Sequence, residues 1–129
     1  MPNRFQDWFR QAERDLEHAG EAQEAGRHEW ACFAAQQAAE KAIKAVHLKR
    51  GVEIWGHVIA ELIAELPDAQ RLPPDLVEKA KELDNFYIPT RHANGHPSGA
   101  PFEHYGPLQS ERAITYAKEI IEFARAALA

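Results

Sequence analysis

The sequence predicts an all-α protein, an up-and-down bundle of about five helices, on three observations. Apolar residues recur at three- and four-residue steps through most of the chain. No stretch alternates apolar and polar residues over a useful length, as a half-buried strand would. Apart from Gly20, glycines and prolines fall at the ends of the periodic segments or between them, where helices should stop and start.

The first segment places Phe5, Trp8, Phe9, Ala12, Leu16 and Ala19 on one stripe, with Asn3 as the expected N-cap and Gly26 as the stop. The second, about Glu29 to Arg50, is rich in alanine, the best helix former, whose small side chain lets neighbouring helices approach closely. Trp30, Phe33, Ile43 and Val46 supply its bulk, and Gly51 ends it. A shorter helix is expected from about His57 to Leu66, closed by Pro67-Asp68. Pro73-Pro74-Asp75 reads as the start of a fourth, with Asp75 as its cap, carrying Leu76, Val77, Ala80, Leu83 and Phe86 or Tyr87. Pro89 bars the α conformation at Ile88. The last helix is expected from about Leu108 or Ser110 to Leu128, along a stripe of Ala113, Ala117, Ile120, Ile121, Ala124 and Leu128.

The 129 residues fit one domain, 1–129, large enough to bury a core without disulfides or metal. A formal charge of -5 argues against broad attraction to nucleic acid, so any polyanion site must be local. One cysteine, Cys32, rules out an internal disulfide and fits a reducing compartment. No apolar run approaches the ~20 residues that span a bilayer. The first ten residues, with charges among aromatics, do not resemble a signal peptide. A cytoplasmic protein with no membrane association is the expectation.

The chemistry gathers in the one long connection, about Ile88 to Pro107, where Arg91, His92, His96 and His104 lie among Gly95, Pro97, Gly99 and Pro101. Arginine offers a planar fork of donors suited to phosphate, and histidine exchanges protons near neutral pH. Arg91 and His96 are the candidate catalytic pair. Arg91, with Lys44 and Tyr105, is the candidate phosphate or nucleotide contact; the alternative for Arg91 is a structural bond to Asp84 or a helix C-terminus. Tyr87 is expected to pack. The three loop histidines lack a scaffold for zinc, so no metal site and no cofactor is expected. His57 is expected to serve the start of the third helix, and His18, His28 and His47 to lie on or near polar faces. Cys32 reads as a small buried hydrophobe, and Glu40, Lys41 and Lys44 as a helix-surface charge group. The alanine face of the second helix can serve either the core or a partner helix, and a homodimer is expected from a surplus apolar patch.

Two stretches, Phe33-Ala34-Ala35-Gln36-Gln37-Ala38-Ala39-Glu40-Lys41-Ala42-Ile43-Lys44-Ala45 and Leu83-Asp84-Asn85-Phe86-Tyr87-Ile88-Pro89-Thr90-Arg91, resemble the HEPN family (higher eukaryotes and prokaryotes nucleotide-binding), in its Tyr-Ile-Pro-Thr-Arg subgroup. His57 and the run from Trp8 to Leu16 extend the resemblance over nearly the whole chain. It implies a helical bundle that dimerises and is often paired with a minimal nucleotidyltransferase. It also implies, for many members, metal-independent cleavage of RNA by an Arg-x(4–6)-His motif, which Arg91 and His96 satisfy with four residues between them. Ser98 stands where nucleotidyltransferase-paired toxins carry tyrosine, and the subgroup commonly lacks a histidine at the place of His96. Two functions stay open on this resemblance: an endoribonuclease of a toxin–antitoxin pair, or a non-catalytic module that binds a nucleotide or a nucleotidyltransferase.

Overall fold

Helices α1 (Phe5–Glu24) and α2 (His28–Lys49) form an antiparallel pair around a tight turn. Gly26 makes that turn at φ +77: its N–H reaches Gln23 O at 3.0 Å, and Arg27 N–H reaches Ala22 O at 2.8 Å. This pair of bonds is a Schellman ending. Gly51, at φ +79, ends α2 in the same way, with bonds to Leu48 O and, from Val52, to His47 O. The computed structural model describes residues 3–69 and 72–129, and among them every regular element is helical.

α2 is the central helix, packed on α1, on α5 (Pro107–Leu128), and on the short α3 (Ile59–Ala64) and α4 (Pro74–Asp84). Its alanines 31, 34, 35, 38, 39, 42 and 45 are all buried, so that face serves the chain's own core. One apolar cluster joins Ile43 to Ile59, Ile63, Leu83 and Ile120 from the other helices; a second joins Ala38, Ala42 and Val46 to Ala12 of α1 and to Ile121 and Ala124 of α5.

Several element starts differ from the sequence expectation, each for a physical reason. Asn3 stands one place before the cap of α1; its Oδ1 still accepts Phe5 N–H at 3.1 Å, while its amide donates to Leu48 O at the end of α2. Asp75 lies inside α4 and not at its cap, because Pro74 takes the first helical position, where a missing N–H costs nothing. α5 begins at Pro107 for the same reason, with Gly106 at the cap and Gln109 Oε1 accepting the Gly106 N–H at 3.0 Å. Ser110 is therefore a buried joint, bonded to Gln23 and His28 from the α1–α2 corner. α4 stops at Asp84, short of Phe86 and Tyr87, and tight turns continue through Thr90.

α3 starts at Ile59, two residues after His57, and its cap comes from elsewhere in the chain. The Asp84 carboxylate accepts Ile59 N–H at 2.6 Å and Ala60 N–H at 3.1 Å. Burial pushes the Asp84 carboxyl above its ordinary value of 3.8; these two N–H groups pull it down, and the charges of Glu40 and Glu61 push it up. Because the folded value is raised, the stability this group contributes is complete below the ordinary carboxylate range and is lost as pH rises through the folded value. Asp84→Asn retains an acceptor for α3 without a charge. Urea-unfolding series from about pH 3.5 to about pH 6 should show the variant gaining on the wild type as the pH is raised; a relative loss over that window would contradict the burial account.

His47 does not lie near a polar face, as its sequence context predicts, but is buried, with Nε2 on Leu62 O at 2.8 Å, tying α2 to α3. The Glu40–Lys44 pair exists but is not on the surface: at 3.1 Å, its side chains are only 5% and 11% exposed. Lys41 bridges to Asp15 of α1 at 2.5 Å. Among the described residues no buried side-chain polar atom lacks a partner.

Candidate functional site at the Arg91 turn

The connection after α4 is ordered by its own bonds. Thr90, buried, donates to Phe86 O at 2.6 Å, and Arg91 N–H reaches Ile88 O at 3.1 Å. Gly95 folds back onto this turn so closely that a Cβ there would stand 2.9 Å from Pro89 Cα. His96 Nε2 then reaches Pro89 O at 2.7 Å.

Arg91 is half-buried, and its guanidinium is fixed on three sides. Nε and Nη2 both donate to Tyr87 O, at 3.0 and 2.7 Å, and its carbon lies 4.2 Å from the centre of the Phe33 ring and 4.9 Å from that of Tyr87. The structural partner is thus the carbonyl of Tyr87, just beyond the α4 terminus; Asp84 is committed to α3. Among the described residues Nη1 takes no protein acceptor. A planar cation held by stacking, with free N–H groups, is prepared to meet phosphate or carboxylate with little loss of side-chain freedom.

Arg91 and His96 are brought onto the same short turn, but no hydrogen bond joins them among the described residues. The His96 ring lies parallel to that of His104 at 4.1 Å, and edge-on to Tyr105 at 5.8 Å. His104 Nε2 in turn reaches Ser98 O at 2.5 Å. His92 is exposed. Tyr105 packs against the core with its edge on Phe86 at 6.0 Å, and burial pushes its hydroxyl above the usual value. Among the described residues no three His, Cys, Asp or Glu side chains converge as a metal site.

Lys44 is engaged elsewhere: its ammonium donates to Glu40 and sits 5.9 Å from the Trp8 ring centre. Glu40 also accepts from Gln36 Nε2 at 3.1 Å and from His57 Nδ1 at 3.2 Å. The His57 ring stacks on Tyr87 at 4.5 Å and 19°. Tyr87 is thereby the common support of His57 and Arg91. Two small concavities adjoin the supporting residues of this group. One of about 220 Å³ is lined by Trp30, Phe33, Gln37 and Lys41, among others. One of about 140 Å³ is lined by Trp8, Lys44, Ile54 and Trp55, among others. Arg91 and His57 line neither these two nor the larger hollows near Arg4 and at the chain ends; the first of the two shares Phe33 with the Arg91 platform, and the second shares Lys44 with the Glu40 group.

The sequence that builds this geometry matches the HEPN domain family over residues 5–127. The chain belongs to the HEPN family. Its structure is similar to that of TT1696 from Thermus thermophilus, at 48% identity and a TM-score of 0.94 over 98% of this chain and 99% of the other. It is also similar to ST0689, described as an archaeal HEPN homologue, at 37% identity and TM-score 0.82 over 98% of each chain. A HEPN domain protein of Thermotoga maritima, tm0613, is 38% identical with TM-score 0.75, over 95% of this chain and 97% of the other. No curated protein matches the sequence.

Within this HEPN domain, sequence reasoning missed the Gln36–Glu40–Lys44–His57 group. A signal was present: Gln36, Glu40 and Lys44 recur one helical turn apart, a polar row along an alanine-rich helix. Phe33, read as bulk, is the platform of Arg91. Cys32 is fully buried, and burial first, then Glu29, pushes its thiol up to about 12. The native HEPN domain should therefore resist thiol reagents at neutral pH and react fully once unfolded, as counted by mass after alkylation; rapid labelling of the folded chain would contradict this.

Proposed function

We propose that this HEPN domain binds the phosphate of a nucleotide or of single-stranded RNA at Arg91. The observation that carries the reading is the guanidinium fixed between Phe33 and the Tyr87 carbonyl, with Nη1 left for a ligand. Trp30 at 46% exposure and Trp55 at 80% stand beside the two small concavities and suit base stacking. Lys44 offsets Glu40 and contributes positive field more than direct contact. Tyr105 acts on the loop, through His96, more than on a base.

Cleavage of RNA without metal by Arg91 and His96, as in a toxin–antitoxin pair, is the second reading, favoured by their four-residue spacing and their anchorage on one turn. A homodimer belongs to both readings. Val52, Trp55, Val58 and Ile88 leave large apolar groups exposed near His57 and Tyr87, and a second copy, or a minimal nucleotidyltransferase, would cover them. Among the described residues no helix is long and apolar enough to cross a membrane, and a buried thiol without a disulfide partner fits a cytoplasmic protein. The test incubates the protein with labelled single-stranded RNA in EDTA and reads binding by anisotropy and cleavage on gels, beside Arg91→Ala and His96→Ala. Binding lost only with Arg91 supports the first reading; cleavage lost with both supports the second. Equal behaviour of all three proteins removes the site from either.

A further inference from the structure

Among the polar groups that Arg91 binding leaves unexplained, His57 and Glu40 carry the most chemistry. His57 Nδ1 stands 3.2 Å from each carboxylate oxygen of Glu40. Those oxygens also receive Gln36 Nε2 and Lys44 Nζ, each at 3.1 Å. Glu40 is thus an acceptor on every side, and Nδ1 is the His57 nitrogen that carries hydrogen. Nε2 is then the nitrogen with the lone pair, and among the described residues it has no protein partner. The Glu40 side chain is 5% exposed, that of His57 53%. A buried carboxylate that sets the tautomer of an imidazole whose other nitrogen meets solvent is the arrangement of a general base. Tyr87 carries both this imidazole and the Arg91 guanidinium on its ring. His96, by contrast, has its Nε2 on Pro89 O and its ring against His104.

We propose that His57, oriented by Glu40, is the proton-accepting residue of the Arg91 face, and that its substrate is single-stranded RNA with a free 2′-hydroxyl. The inference rests on phosphate binding at Arg91 as set out above. The ribose 2′-hydroxyl gives its proton to Nε2, and the 2′-oxygen forms a bond to the adjacent phosphorus. The bond from phosphorus to the 5′-oxygen breaks, its electron pair leaves with that oxygen, and a proton from solvent joins it. The imidazolium then returns its proton to solvent. The products are a 2′,3′-cyclic phosphate and a 5′-hydroxyl, and no co-reactant is consumed. Arg91 holds the phosphate as charge builds on its oxygens. Glu40 acts through His57 and is a positioning residue.

His57→Asn is the informative variant, because the asparagine amide can still donate to Glu40 while the outer nitrogen is gone. The full chain is given an all-ribose oligonucleotide, and separately its 2′-O-methyl counterpart, in EDTA. Anisotropy with the 2′-O-methyl strand reads binding apart from cleavage. The expected result is cleavage of the ribose strand alone, slowed about a hundredfold or more by His57→Asn with binding unchanged. Free imidazole should restore part of the rate to His57→Ala, which a merely structural histidine would not allow. Glu40→Gln should lower kcat with little change in KM. Cleavage by His57→Asn at the wild-type rate overturns the inference. So does a wild-type protein that binds the 2′-O-methyl strand through Arg91 yet cuts nothing, a result that leaves the binding reading standing. Absence of binding removes both.

Discussion

Replacing Arg91 with alanine is expected to weaken binding of single-stranded RNA or nucleotide by about ten- to a hundredfold, the worth of one charge-assisted hydrogen-bonded contact to phosphate. Arg91→Lys is expected to recover only a minor part of it. Lysine keeps the charge, but it cannot donate twice to Tyr87 O or lie flat on Phe33, the two contacts that fix the guanidinium. Titration calorimetry or fluorescence anisotropy at fixed salt measures both variants, with circular dichroism as the check on folding. The same bonds also hold the turn after α4, so a modest loss of stability, about 1 kcal/mol, should accompany the change. Binding by Arg91→Ala equal to that of the wild type would move the ligand elsewhere on the domain.

The largest expected effect on stability lies at Glu40. Its side chain is 5% exposed and receives donors from Gln36, Lys44 and His57. Glu40→Ala removes that acceptor and leaves the Lys44 ammonium, 11% exposed, without its carboxylate. Stranding a buried charge costs about 3 kcal/mol, which for a domain of this size lowers the midpoint of thermal unfolding by roughly 10 °C. Adding Lys44→Met to Glu40→Ala should restore much of the loss, since an apolar chain of similar length needs no partner. Thermal and urea unfolding of the two single variants and the double variant decide it. A Glu40→Ala protein within about 0.5 kcal/mol of the wild type would mean that water reaches Lys44 freely.

These two residues also mark how far a linear reading reaches. Arg91 is legible because its neighbours are informative: a proline that stops a helix, then glycines that mark a loop. Glu40 reads, wrongly, as part of a surface charge group. Charge at four-residue spacing is usual on a wet helix face, and only the packing of the segment around His57 and Tyr87 against α2 reveals that this face is covered. His47 is misplaced for the same reason: its partner, Leu62 O, is presented by a helix fifteen residues away.

The sequence by itself determined the helical class, the order and approximate extent of five helices, the glycine endings of α1 and α2, and the one long connection in which Arg91 and His96 both lie. Those features depend on contacts between residues a few positions apart, and apolar periodicity, glycine and proline report such contacts directly. Tertiary structure alone decided that Asp84 caps α3, that the alanines of α2 are consumed by the chain's own core, and that His57 meets Glu40 beside the Tyr87 ring. Each of these joins residues from separate elements. Their distances are set by how whole helices pack, and the spacing of letters within any one helix carries no record of that.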